Sequence, residues 1–340
     1  MTAALPKASP FGRSLSKAGQ GIVQISILPP ATPTIATLSY TYPLKLIAPS
    51  PTTLPESGQR VLLIFLLTYG GGLVAGDAID LSIALAPHTR LALVTQGSTK
   101  IFKTLNRSIV SRQTLEVRIG SGAGLCYLPD PTQPFAQSCY EQKQVFKLEE
   151  KGSLSVLDWV SEGRSARGEK WDFWRWQGKN EIWTLPSEAN GGKDALGKSR
   201  LLLRDNVILD SGRADLGEGL LRRMDGLGVF GTLILCGPLF ESLAKFFMDE
   251  FDKLPRIGGR NWSSSTEPPK LSEKEEKRAA RQREEVMDGL IWTAARIRGL
   301  VVVKFGAREV EGARRWLGNV LREEGSVHRE FGDGALLCMR

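Results

Sequence analysis

With 340 residues, 41% of them hydrophobic, the chain can bury a substantial core as one large or two medium domains, and its longest apolar run, 61–67, is far too short to cross a bilayer. Two histidines, His88 and His328, and the scattered Cys126, Cys139, Cys236 and Cys338, with no CxxC pair, argue against a zinc site or histidine-based catalysis. The net charge of +8 is diffuse, because the most charged segment, 270–285, nearly cancels, so a nucleic-acid groove is not expected.

In chain order, residues 1–20 read as a flexible tail. They hold Lys7, Arg13 and Lys17 and no acid, but Pro6, Pro10, Gly12 and Gly19 would break the amphipathic helix that a targeting presequence needs. No apolar signal core is present, which predicts a cytoplasmic protein. From about 21 to 235 the apolar pattern has period two, as in Ile79, Leu81, Ile83 and Leu85, and again in Leu115, Val117 and Ile119. Turn signals recur at Pro87-His88, 120–124, Pro129-Asp130-Pro131, Lys151-Gly152 and Asp205-Asn206. The prediction is a mainly β fold in one domain over 21–340, antiparallel, built either as stacked sheets or as a β-helix-like coil. Helical spacing appears only later, over about 239–254 and 307–323, with a buried strand over 300–305. Two or three helices are therefore expected in the C-terminal third. The segments at about 186–199 and 256–285 have the composition of exposed insertions, the second helical after Ser272.

Two nucleotide-binding patterns match in letters. Gly70-x-Gly72-x-x-Ala75 follows an apolar strand, but the residues after it alternate as another strand, so no helix N-terminus is available to receive a phosphate. Residues 192–199 satisfy the P-loop pattern, yet the stretch Arg200–Leu209 reads as a hairpin turning at Asp205-Asn206. A nucleotide-dependent enzyme using the 192–199 loop is the alternative function. Trp171, Phe173, Trp174, Trp176 and Trp183 among basic residues offer a third reading, an RNA-binding module, although aromatics at alternate strand positions more often form core.

Carboxylates stand out because histidine is nearly absent. Asp77 follows the glycines 70–76, Asp158 lies inside Leu154–Val160, Glu169 follows Gly168, and Asp210 follows Val207–Leu209. A buried carboxylate is costly unless it is paired or coordinates something. Together the four are candidates for a polar path through an apolar core.

The motifs Tyr42-Pro-Leu-Lys45, 71–77, Thr95-Gln-Gly-Ser-Thr-Lys-Ile-Phe102, Leu128-Pro-Asp-Pro131 with Pro134-Phe135, Asp158-Trp159 with Gly163-Arg164 and Gly168-Glu169, and 231–235 with Gly237-Pro238 span nearly the whole chain. In order and spacing they resemble the urease accessory protein UreD family, called UreH in some bacteria. The resemblance implies a non-catalytic scaffold that binds apo-urease and UreF-type and UreG-type partners, with GTP hydrolysis belonging to UreG. It also implies a mainly β fold and a water-filled internal route for nickel, carried in transit with no tightly bound cofactor, no nucleic acid and no membrane. Carried over, the acids of that route are Asp77, Asp158 and Asp210, with Glu169 beside them. Carboxylates hold nickel more weakly than histidine or thiolate sets, which suits a conduit. Ala75 departs from the family's usual glycine, and the two insertions resemble a fungal elaboration.

Overall fold

A computed structural model describes residues 17–186, 199–212, 219–254 and 272–340. The loop 192–198, the tail 1–16 and the first part of the second insertion therefore lie outside the described residues. The chain opens with β1 (Gln20–Leu28) and β2 (Thr32–Tyr40), then β3 (Leu44–Ile47), β4 (Thr52–Thr53) and β5 (Arg60–Thr68). After the glycine loop come β6 (Gly72–Leu73), β7 (Ala78–Leu85), β8 (Arg90–Val94) and β9 (Thr99–Ile101). The winding continues through β10 (Ser111–Ile119), β11 (Gly124–Tyr127), β12 (Thr132–Pro134), β13 (Cys139–Leu148), β14 (Ser153–Ser161) and β15 (Arg175–Thr184).

These strands alternate between two sheets. In the first, β7, β10, β13 and β15 are parallel neighbours; in the second, β5, β8, β11 and β14 are. The chain thus coils, leaving one sheet to enter the other. This corrects the antiparallel expectation: period-two burial reports that one face of a strand is wet, not which way its neighbour runs. Parallel strands are usually recognised by an intervening helix, and here the other sheet makes the crossover. Antiparallel strands close the ends of the coil. β2 pairs with β1, and β16 (Arg200–Asp210) pairs with β15. In the second sheet β17 (Val229–Cys236), which follows the short α1 (Leu220–Arg223), pairs with β14.

The Arg200–Leu209 hairpin is also corrected. β16 is one continuous strand along β15, with a single register shift at Leu202, and Asp205 pairs with Asn180 where the turn was expected. The Asp-Asn dipeptide has turn chemistry, but its aspartate faces inward to the Lys304 ammonium, 2.7 Å away.

The last third adds a helical layer. α2 (Glu241–Asp252) and α4 (Val310–Glu324) pack against the hairpin β18 (Ile291–Ile297) and β19 (Leu300–Ala307), α3 (Glu273–Met287) lies against α4, and the short α5 (Ser326–Phe331) against β8. β14 is buried along its whole length: Val156 and Val160 face the first sheet, whereas Leu157 and Trp159 join α2 and α4 through Phe247 and Trp316. Burial on both faces explains its near-continuous apolar sequence. Ser272 and Glu275 form a capping box that starts α3. Of the aromatics considered for RNA binding, Trp171, Phe173 and Trp176 are buried in the core between the sheets, while Trp174 and Trp183 are half-buried.

At the glycine loop, β6 pairs with β9, so Gly72 lies opposite Lys100. A Cβ on Gly72 would stand 2.2 Å from the Lys100 carbonyl oxygen, while Gly71 has φ +72 in open space. Gly72→Ala is expected to lower unfolding free energy by roughly 3 kcal/mol through overpacking, and Gly71→Ala by about 1 kcal/mol through left-handed strain. Urea melts check the order; equal losses would contradict it.

Candidate functional site

On the inner face of the second sheet, successive rungs of side chains cross the strands. One rung, Val156, Ile234 and Val302, is apolar, and two residues along the strands the next reads Asp158, Thr232 and Lys304. On the facing sheet Gln113 stands beside Gln142, Gln144 beside Asn180, and Asn180 beside Asp205. Because paired residues share a face, these polar groups meet inside the sandwich. They form a seam through an otherwise apolar core.

Asp158 is its centre. Its side chain reaches β15 so closely that a Cβ on Gly178 would lie 2.8 Å from Oδ2. Gln142 Nε2 donates to Oδ1 at 2.9 Å, and Asn180 Nδ2 donates to Oδ2 at 2.8 Å. Tyr140 Oη in turn donates to Gln142 Oε1 at 3.1 Å, which orients that amide. Burial pushes the Asp158 carboxyl up to about 6 and the Asp205 charge adds to this, against the pull of its amide donors and Lys304. At the end of the seam Lys304 Nζ lies 2.7 Å from Asp205 Oδ1 and 3.4 Å from Thr232 Oγ1.

Several buried acceptors have no partner among the described residues: Gln113 Oε1, Gln144 Oε1, Asn180 Oδ1 and Asp205 Oδ2. Buried carbonyl and carboxylate oxygens are seldom left so, and water or a cation is the usual remedy. Gln113, Tyr127, Tyr140, Gln142, Gln144 and Asp158 line a cavity of about 20 Å³, enough for the centre of one water. Leu66, Thr95 and Thr99 are shared with a second hollow of about 260 Å³, which opens beside Tyr69–Gly71. The glycine loop and the Thr95–Lys100 cluster therefore come together at its mouth. Asp130 fixes that mouth, accepting from Thr95 Oγ1 at 3.0 Å, Gly97 N at 2.8 Å and Arg314 Nη1 at 2.7 Å.

The four acids named from sequence are not brought together; of these, Asp158 alone joins the seam. Asp77 closes a turn, taking the Val74 amide at 2.9 Å, and Gly76 alone of Val74–Asp77 has positive φ, +86. Ala75 therefore fits its position without strain. Asp210 pairs with Arg107 at 3.2 Å and accepts from Gly212 N at 2.7 Å. Glu169 is paired with Arg164, which stacks 3.9 Å over the Phe135 ring and, with Ala136 N, holds the Glu169 carboxyl below its usual range. Sequence reasoning missed Gln113, Gln142, Gln144 and Asn180, whose signal is an amide at an apolar strand position, and Asp205 and Lys304. Among the described residues no three His, Cys, Asp or Glu side chains gather as a metal cluster.

Residues 23–331 match the profile described as UreD urease accessory protein. The chain belongs to the UreD family. It is 30% identical to urease accessory protein 4 of Cryptococcus neoformans var. grubii over 93% of each chain. It is 34% identical to an uncharacterized ureD-like urease accessory protein of Schizosaccharomyces pombe over 81% of this chain and 84% of that one. Urease accessory protein D of Oryza sativa subsp. indica is likewise 34% identical, over 67% of this chain and 70% of its own. Family membership implies a role in urease maturation. Among the described residues no helix of this UreD chain is long and apolar enough to cross a membrane.

A buried acid with a raised pKa binds its proton more tightly in the native than in the unfolded state. Its contribution to stability therefore grows as pH falls through about 6 and levels off below the ordinary 3.8. Relative to Asp158→Asn, the metal-free wild type is expected to gain up to about 3 kcal/mol between roughly pH 7.5 and pH 4. Thermal melts of both proteins across that range test this, and a wild type that loses ground on acidification contradicts it.

Proposed function

We infer that this chain is a non-catalytic scaffold of urease maturation, holding apo-urease together with UreF-type and UreG-type partners while nickel crosses it along the polar seam. The metal is cargo, and no tightly bound cofactor is assigned. The observation that carries the reading is the set of buried oxygens near Asp158 that have no partner among the described residues, with a cavity beside Asp158 that shares its lining with the hollow beside Tyr69–Gly71. Carboxylate, amide oxygen and water suit a divalent ion that must be released again, since none matches the grip of a thiolate or imidazole set. Asp158 is the interior carboxylate of the route. Asp77, Asp210 and Glu169 take supporting roles, since each already serves a backbone amide or an arginine.

The experiment is co-purification with UreF-type and UreG-type partners and apo-urease, followed by nickel analysis of the urease under limiting nickel. Asp158→Ala is expected to leave the complex intact and to lower urease nickel severalfold, with a smaller effect for Asp77→Ala. Normal loading by Asp158→Ala protein at equal abundance would rule out the route, and failure of the wild-type chain to co-purify would rule out the scaffold.

A further inference from the structure

The end of the seam is unusual in holding its own cation. Lys304 is placed by the Asp158–Thr232–Lys304 rung, and its ammonium bridges Asp205 Oδ1 and Thr232 Oγ1. The side chain is 36% exposed and that of Asp205 13%, so the pair sits at the rim, between solvent and interior. Lys304 Nζ also lies 5.8 Å from the centre of the Phe230 ring. Just inside, Asn180 is the ladder partner of Asp205 and gives its amide N–H to Asp158, while its Oδ1 and Asp205 Oδ2 remain without partners among the described residues.

One ammonium thus meets Asp205 and Thr232, and next to it along the ladder lies Asn180, whose unpartnered Oδ1 and bond to Asp158 continue the row of oxygens inward. We propose that Lys304 is an exchangeable internal counter-ion, and that a divalent cation binds at Asp205, Asn180 and Asp158 only by displacing its ammonium toward solvent. The exchange breaks the contacts of Nζ with Asp205 and Thr232 and forms metal–oxygen contacts in their place. When the ammonium returns, it competes for the same carboxylate and expels the ion. A long flexible stem with a compact charge can swing in this way, whereas the planar arginine fork is more firmly held. On the interior side of the rim the competition is stronger than at an open surface, because Asp205 and Asn180 are more shielded from screening by water and salt.

This proposal rests on the reading of the seam as a cation route, and two readouts separate them. The first is direct: equilibrium dialysis of nickel sulfate against the purified full chain, without partners. Lys304→Met, and independently Lys304→Gln, are expected to bind nickel at least about tenfold more tightly than wild type, since removing the ammonium leaves the carboxylates uncompensated. Lys304→Arg should bind nickel no more tightly than wild type, its fork being harder to displace, and Asp205→Asn combined with Lys304→Met should lose the gain. The second readout is urease nickel content in the assembled complex, where the Lys304→Met chain is expected to retain the metal and to load urease less. If both neutral variants fold, as judged by their melts, and bind nickel no more tightly than wild type, the counter-ion proposal is overturned. It is also overturned if the double variant keeps the gain. Should Lys304→Met and Lys304→Gln both unfold, Asp205→Asn decides: nickel binding equal to wild type overturns the proposal. The route itself stands or falls separately on Asp158→Ala.

Discussion

A carboxylate enclosed between two sheets persists only if donors from the opposite sheet face it, and Asp158 has two. Its bonds to Gln142 and Asn180 tie β14 to β13 and β15 across the sandwich, so the sheets meet at one register. The apolar rungs on either side resist sliding only through packing. The polar rung cannot, because a shift of one residue would turn Asp158 into the helical layer and leave both amides facing hydrocarbon. The interaction that makes the interior wet thus also fixes how the two sheets face one another.

The same rung determines what the interior can carry. An oxygen-rich lining of carboxylate and amides, with thiols absent from the cavity wall, favours hydrated or weakly held ions. At the mouth, Asp130 ties the Thr95–Gly97 loop to Arg314 of α4. Two motifs that are far apart in the chain, Thr95-Gln-Gly-Ser and Leu-Pro-Asp-Pro, are therefore one structural device, a rim whose backbone is held open by a buried acid.

Sequence and structure agree where periodicity carries the information. The β-rich body, the helices near 239–254 and 307–323 and the closing strand follow from spacing alone, and Asp158 is visible as an acid in an apolar strand. Strand direction is not visible, because alternation is the same in both directions and the crossovers pass into a second sheet rather than a helix. The partners of Asp158 are equally hidden. Glutamine and asparagine at Gln142, Gln144 and Asn180 occupy positions that hydrophobic patterning counts merely as exceptions, and their convergence depends on cross-strand register. Asp205 misleads outright: its neighbour Asn206 completes a turn signature, which pairing with β15 and the contact with Lys304, 99 residues away, override. Asp77, Asp210 and Glu169 show the converse, since an acid at or near a turn commonly serves a nearby amide or arginine.

The segment expected as a second exposed insertion is joined to the core at its helical end. Arg278 and Arg281 of α3 both grip Glu250 of α2, and Glu285 accepts the indole N–H groups of Trp316 at 3.0 Å and Trp292 at 3.4 Å. Arg281, Glu250 and Glu285 are buried, so each depends on the others for compensation. The helix is thereby tied into the neighbouring core by charge as well as by packing. Removing Glu250 would leave the buried Arg281 with only Glu285 and Glu323 for compensation, so the cost of changing one member depends on the others.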